Sequence, residues 1–329
     1  MLRVYLDQSK WIDLTKCRVG KPDGARYTEV LDLARAAVGR GQVSFVLSCA
    51  HYFETQRRGT GRSRRELGET MAELSKFHAI APVQKIVPAE IREYLTGEPL
   101  QSQLDLFGVG FKHAFDTSFD LVAGFKLTSE DSLPPAVRTE IKSRIREEVE
   151  KAILAAPEDA PKAARKMLEA ASQIHASSQT FADEQANLSR AVVDQQLRGQ
   201  LEDVAVMTEA ADIFVPLRSE CARIGIDPVD VISSKQAIYD LVQGLPSRWV
   251  MSQLRRVRLR NPQQPWTRND LNDLSFMSIA VPYCDVVVTE RQWARHINQL
   301  DLAHKHNTKI YRDLTDLIEV LTPEPKPDN

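Results

Sequence analysis

The chain reads as an α/β protein, a central parallel sheet flanked by helices with a large all-helical insertion. Strand and helix signals alternate at both ends, the ends' apolar runs stop at carboxylates, and the middle carries helical signals almost throughout. Leu2–Leu6 is an apolar run closed by Asp7, and Gln8-Ser9 can cap a helix starting near Lys10. A helix follows over Ala25–Arg40, with Val30, Leu31, Leu33, Ala34, Ala37 and Val38 on its apolar side and Gly39 and Gly41 at its end. Val43–Leu47 reads as a second buried strand, and Ser48 can cap a helix bearing His51, Phe53 and Glu54. An arginine-rich stretch, Arg57 to Arg65, precedes a helix over Glu66–Phe77; Ile86–Val87 reads as a short strand before a helical Ala89–Leu95. Phe107, Phe111, Phe115, Phe119 and Phe125 recur at near-helical spacing and read as a core stripe.

From Pro134 to Arg260 helices are expected to run through Glu150, from Pro161, and over Gln185–Ile213, Val215–Ile224, Pro228–Gln243 and Ser247–Val257. Alternation then resumes. Asn269 or Asp270 caps a helix reaching Pro282, Asp285–Thr289 is a strand, Arg291–His306 a helix, Thr308–Tyr311 a strand and Thr315–Leu321 a last helix. The expected division is 1–130 and 261–322 as two parts of one α/β domain, 131–260 as a helical subdomain, and a Pro- and charge-rich disordered tail over 323–329.

Composition narrows the classes. The 329 residues suffice for about two units of ordinary domain size. With 43% hydrophobic and 27% charged residues the chain reads as soluble and globular, and no apolar run is long enough for a bilayer span. A strand holding Arg3 and Asp7 occupies the position of a signal peptide, so the expected location is cytoplasmic with no membrane partner. A net charge of −2 leaves nucleic-acid binding to local basic patches. Cys17, Cys49, Cys221 and Cys284 have no Cys-x-x-Cys spacing, which argues for reduced thiols and against zinc.

In open α/β sheets ligands collect at the carboxyl ends of strands, where Asp7 and Glu290 both stand. Glu54 and Asp273 lie on helices next to those strands, and Asp285 opens the strand that Glu290 follows. Several carboxylates facing one rim repel unless divalent cations neutralise them, and hard oxygen donors suit Mg²⁺ or Mn²⁺. That chemistry is metal-assisted hydrolysis of a phosphodiester. Asp7 equally suits a helix cap, Glu54 an ion pair with Arg58, Asp285 a turn, Glu290 the start of a helix, and Asp270 competes with Asp273 as the functional acid. His51 is read as a packed histidine or a proton shuttle, Thr289 as a strand end or a holder of water or a carboxylate, and Ser9 as a helix cap or a partner of Asp7.

Two terminal motifs, Val4-Tyr5-Leu6-Asp7-Gln8-Ser9-Lys10-Trp11-Ile12 and Asn269-Asp270-Leu271-Asn272-Asp273-Leu274 through Pro282-Tyr283-Cys284-Asp285-Val286-Val287-Val288-Thr289-Glu290, resemble those of the PIN-domain ribonucleases, a family that includes many toxins of bacterial toxin–antitoxin pairs. The resemblance covers the two ends and not the helical middle, and Glu290 stands where the family usually has Asp. It implies a PIN-like fold and Mg²⁺- or Mn²⁺-dependent endoribonuclease activity on RNA, with tRNA among the candidate substrates. It implies Asp7, Glu54, Asp273 and Glu290 as catalytic, metal-holding acids, with Asp285 as an additional metal ligand. An inhibitory antitoxin or a second copy of the chain are the protein partners it suggests. Arg57, Arg58, Arg62, Arg64 and Arg65, and Arg255, Arg256, Arg258, Arg260 and Arg268, adjoin these elements and are the candidate RNA-backbone contacts. The rival readings are a structure-specific DNA nuclease, a haloacid-dehalogenase-like phosphatase, whose second Asp is replaced by Ser9, and a catalytically inactive PIN-like interaction module.

Overall fold

The computed structural model describes residues 1–118, 134–155, 165, 180–261 and 263–322, with the side chain of Arg268 left out. In chain order the main elements are β1 (Leu2–Leu6), α1 (Gln8–Arg18), α2 (Thr28–Gly39), β2 (Val43–Val46), α3 (Cys49–Gln56), α4 (Gly61–Ser75), β3 (His78–Ile80), α5 (Val83–Thr96), β4 (Phe107–Val109) and α6 (Pro135–Ala155). There follow α7 (180–194), α8 (Leu201–Asp212), α9 (Phe214–Ile224), α10 (Lys235–Gly244), α11 (Pro246–Leu259), α12 (Arg268–Tyr283), β5 (Val286–Val288), α13 (Arg291–Gln299) and β6 (Lys309–Tyr311). The protein is mostly helical with a small parallel sheet, in which β1 pairs with β2, and a separate antiparallel pair of β3 and β4. An α/β fold is therefore present.

The chain forms two compact units, one of Met1–Ile80, Phe107–Ser172 and Tyr311–Asn329, the other of Ala81–Leu106 and Gln173–Ile310. This differs from the expected division at 130 and 260. The cause is side-chain pairing that the linear pattern does not reveal. In the second unit the guanidinium of Arg92 on α5 makes two 2.9 Å bonds to Glu220 on α9. Glu90, also on α5, accepts from the Ser247 amide and hydroxyl at 2.8 and 2.6 Å and from the Tyr283 hydroxyl. Thr308 donates to the carbonyl of Val281. These bonds place α5 and the C-terminal motif with the helical middle.

In the first unit β1 and β2 run parallel, in register from Leu2 opposite Val43 to Tyr5 opposite Val46. Leu47 continues the ladder to β3, donating to His78 O at 2.8 Å and accepting from Ile80 N at 2.9 Å, and β3 pairs antiparallel with β4. Val4, Leu6, Phe45, Val46 and Trp11 are buried, with Trp11 edge-on to Phe45. Central strands buried on both faces need such unbroken apolar runs. The helix α6 packs on α3 and α4. Gly68 permits that approach, because a Cβ there would collide with Ala155.

Several local expectations change. Phe107 lies in a strand rather than a helix, and only Phe111 and Phe115 join the aromatic packing on Tyr52; Phe119 and Phe125 fall outside the described residues. Ile86–Val87 is interior to α5, whose Pro88 sits within the first two turns. The arginine-rich stretch enters α4 early, after Thr60 caps the helix through the Ser63 amide. The expected helices over Gln185–Ile213, Pro228–Gln243 and Arg291–His306 each break into shorter pieces. The helix expected from Pro161 and the tail at 323–329 lie outside the described residues, apart from helical Arg165.

The second unit is built around Val87, Ile91, Ile213, Leu217, Cys221, Leu241 and Leu245, contributed by α5, α9, α10 and their flanks. Two arginines are fully buried there as well. Arg255 is 1% exposed and lies 3.3 Å from Glu209 and 2.8 Å from Asp212; Arg258, 2% exposed, pairs with Asp270 at 2.9 Å. A buried guanidinium is tolerated only when acids neutralise it. All four cysteines are free, and no described helix is long and apolar enough to cross a membrane.

Candidate functional site

Asp7 follows β1 directly and occupies the N-cap position of α1. Its backbone carbonyl accepts from Lys10 and Trp11, but its carboxylate makes no capping bond. The capping reading of Asp7 therefore fails for its side chain. Ser9 Oγ approaches Asp7 Oδ2 at 3.4 Å, a long contact that orients the carboxylate.

Two bonds bracket Asp7 against α3. His51 Nδ1 accepts from the Ser48 amide at 2.8 Å, so Nε2 carries the proton and donates to the carbonyl of Leu6, also at 2.8 Å. On the other side, Gln8 Nε2 donates to Thr55 Oγ1 at 3.2 Å. Residues 6 and 8, which flank Asp7, are thus pinned to residues 51 and 55 of the helix that carries the half-buried Glu54. Burial lowers the His51 pKa to about 4, so the ring is neutral and serves as a strut rather than a proton carrier.

The second unit repeats the motif of a strand ending in an acid. Glu290 follows β5, takes the N-cap position of α13, is exposed and, like Asp7, makes no side-chain capping bond. Asp273 on α12 accepts from Trp293 Nε1 on α13 at 3.1 Å. Thr289 Oγ1, fully buried between β5 and Glu290, has no hydrogen-bond partner among the described residues. Asp270 does not compete with Asp273. It accepts from the Thr267 amide at 2.6 Å in a capping box and pairs with Arg258, so its carboxylate is committed to the helix start.

Asp285 is the additional metal ligand that the resemblance implies. It precedes β5 at the end opposite Glu290, its carbonyl accepting from Lys309 N at 2.9 Å. At about 3.3 Å per residue along a strand, the span of β5 keeps it away from the Glu290 end.

The arginines divide in the same unsentimental way. Arg255 and Arg258 are corrections: they are buried and ion-paired and present no charge to a nucleic acid. Arg256 is partly exposed and bound to Glu202 at 2.8 Å, Arg260 is exposed, and the Arg268 side chain lies outside the described residues. Near α3, Arg58 donates to Ser63 Oγ at 2.7 Å and Arg64 to the Arg58 carbonyl at 3.2 Å, closing the turn into α4. Arg62 pairs with Glu66, while Arg57 and Arg65 are exposed.

Sequence reasoning missed Trp293, Gln8 and Thr55 as fixers of the acids, and it left His51 undecided. Gln8 and Thr55 are separated along the chain, and no spacing rule marks their bond. Among the described residues no three His, Cys, Asp or Glu side chains form a group able to hold a metal ion. Mg²⁺ retains most of its water and takes only one or two carboxylates besides substrate phosphate, so a pair such as Asp7 with Glu54 fits that ion's donor chemistry. Gln8, next to Asp7 in the chain, has its Oε1 buried without a hydrogen-bond partner among the described residues. No protein-family model, curated protein or solved structure matches the chain.

Proposed function

We propose that the chain is a Mg²⁺- or Mn²⁺-dependent endoribonuclease of PIN type. The observation that carries this reading is the placement of Asp7 and Glu290: each follows a strand and begins a helix. Carboxylates positioned at strand ends are suited to binding a cation and a phosphodiester.

In this reading Asp7 and Glu54 hold the ion, which supplies positive charge against the phosphate and an activated water for attack at phosphorus. His51 and Gln8 keep those two acids in register, and Ser9 orients Asp7. Asp273, steadied by Trp293, and Glu290 are the acids assigned to the second unit. RNA is the substrate class, with tRNA as one member to test. An antitoxin-like inhibitor or a second copy is the protein partner the reading allows.

The test is to incubate total cellular RNA with wild type, Asp7→Asn and Asp273→Asn in Mg²⁺ or Mn²⁺ and to map new RNA ends. New ends produced by wild type, dependent on the cation and lost in both variants, are the expected result. Unchanged cleavage in both variants overturns the assignment. Cleavage of flap or single-stranded DNA in preference to RNA reassigns the substrate, and release of phosphate from small esters reassigns the reaction. Absence of Mn²⁺ binding by calorimetry, with no cleavage, points to an interaction module.

A further inference from the structure

The helix α11 sends its arginines in two directions. Arg255 and Arg258 turn inward onto acids, whereas Arg256 and Arg260 face an open cleft of about 730 Å³ that His296 and Gln299 of α13 also line. A contiguous hollow adds Arg198, from the 3₁₀ turn Leu197–Gln200 that leads into α8. Glu202 is the acid on this lining, and it is engaged by Arg256. Arg198 and Arg260 form no ion pair among the described residues, so the lining carries excess positive charge.

The chemistry of this lining is specific. Guanidinium groups offer planar forks that match phosphate oxygens. His296 is lowered below the ordinary histidine range by burial and by Arg295 and Arg258, so near neutral pH it serves as a neutral hydrogen-bonding ring. With Asn261 and Gln299 it supplies donors and acceptors of the kind that engage a ribose hydroxyl. A cleft of this size falls within the range of about 300–1,000 Å³ that holds a small ligand, which favours one strand over a duplex. The cleft also connects to the acid described above: His296 packs edge-on against Trp293, whose indole holds Asp273.

We infer that this cleft is a backbone subsite for single-stranded RNA, with Arg198, Arg256 and Arg260 taking phosphates and His296, Asn261 and Gln299 facing the sugars. The inference rests on the ribonuclease reading for the identity of the strand, and on the cleft itself for the anion chemistry.

The experiment measures binding of a fluorescent single-stranded RNA in EDTA as salt is varied, for wild type, the Arg198→Ala/Arg260→Ala double variant and Arg218→Ala. The last removes an exposed charge from α9, which does not line the cleft. Circular dichroism confirms that each is folded. The double variant is expected to bind at least about tenfold more weakly and to lose roughly 1.4 from the log–log salt slope, because each single-strand phosphate contact contributes about 0.7. Arg218→Ala is expected to behave as wild type. A double variant indistinguishable from Arg218→Ala overturns the subsite, as does a wild type that binds no RNA or binds the matching DNA equally well. Cleavage is scored separately with Asp7→Asn. Loss of binding in the double variant without cleavage by wild type keeps the subsite and overturns the nuclease; cleavage with binding unchanged does the reverse.

Discussion

The indole Nε1 of Trp293 donates to Oδ2 of Asp273 at 3.1 Å, joining α13 to the acid on α12. Trp293 is 3% exposed, and Glu290 lies just before its own helix. This bond ties Asp273 to the first turn of α13.

Trp293→Phe keeps the aromatic volume and deletes the donor. It is expected to cost about 1 kcal/mol of stability and to lower RNA cleavage by on the order of tenfold, the effect typical of losing a partner that orients a metal-holding acid. Thermal unfolding and kcat/KM on one RNA provide the check. A stability loss with unchanged cleavage shows that Asp273 is not part of the reacting site.

His51 makes stability depend on pH. Its folded pKa is about 4 against a usual 6.5, so the unfolded chain binds the proton first as pH falls. Stability is complete above pH 6.5, declines through the interval down to pH 4, and loses on the order of 3 kcal/mol in all from this group. His51→Gln retains an acceptor and a donor without titrating. Urea midpoints at pH 7 and pH 5 should differ less in this variant than in wild type.

Glu150 acts in the opposite sense. It lies on α6, accepts the Phe111 amide with both oxygens at 3.0 and 2.9 Å, and burial raises its pKa to about 7. Between pH 4.5 and 7 the folded chain holds this proton more tightly than the unfolded one, so stability falls as pH rises through that window. Glu150→Gln, which still offers an oxygen to Phe111, is expected to stabilise the protein at pH 8 by roughly 2–3 kcal/mol and to change little at pH 4.5. Equal effects at both pH values would show that the carboxyl does not titrate in this interval.

The inward arginines are separable from the outward ones by stability. Arg255→Met leaves Glu209 buried without its nearest cation and is expected to cost about 3–5 kcal/mol. Adding Glu209→Gln should recover part of that loss, whereas Arg260→Met should stay within about 0.5 kcal/mol of wild type. Denaturant unfolding of the three variants reads this directly.

The strands that carry the acids were legible because each is a continuous apolar run stopped by a polar residue, as in Val286-Val287-Val288-Thr289-Glu290. The strand His78–Ile80 was not: it is three residues long and follows Lys76 and Phe77, both at positive φ. Spacing placed Asp7 and Asp273 on their elements, yet could not tell that Asp7 leaves its capping role unused while Asp270 fills one. The arginine clusters misled for a plain reason. The acids that neutralise Arg255 lie on α8, remote along the sequence, and a run of charge carries no mark of which members point inward. The compact units divide the chain elsewhere than at 130 and 260, and Glu90 and Arg92, whose partners lie far downstream, belong to the second of them.

The paired interior charges on α11 have a consequence for recognition. Arg255 and Arg258 anchor the helix by its inner face, so Arg256 and Arg260 project from a backbone that is already immobilised. A ligand arriving at the cleft would lose less freedom in ordering its receptor than it would on a loop of the same charge. A protein with an overall charge of −2 can in this way keep a rigid cationic face, since folding has sorted the arginines of this helix into those that brace it from within and those that stay at its surface.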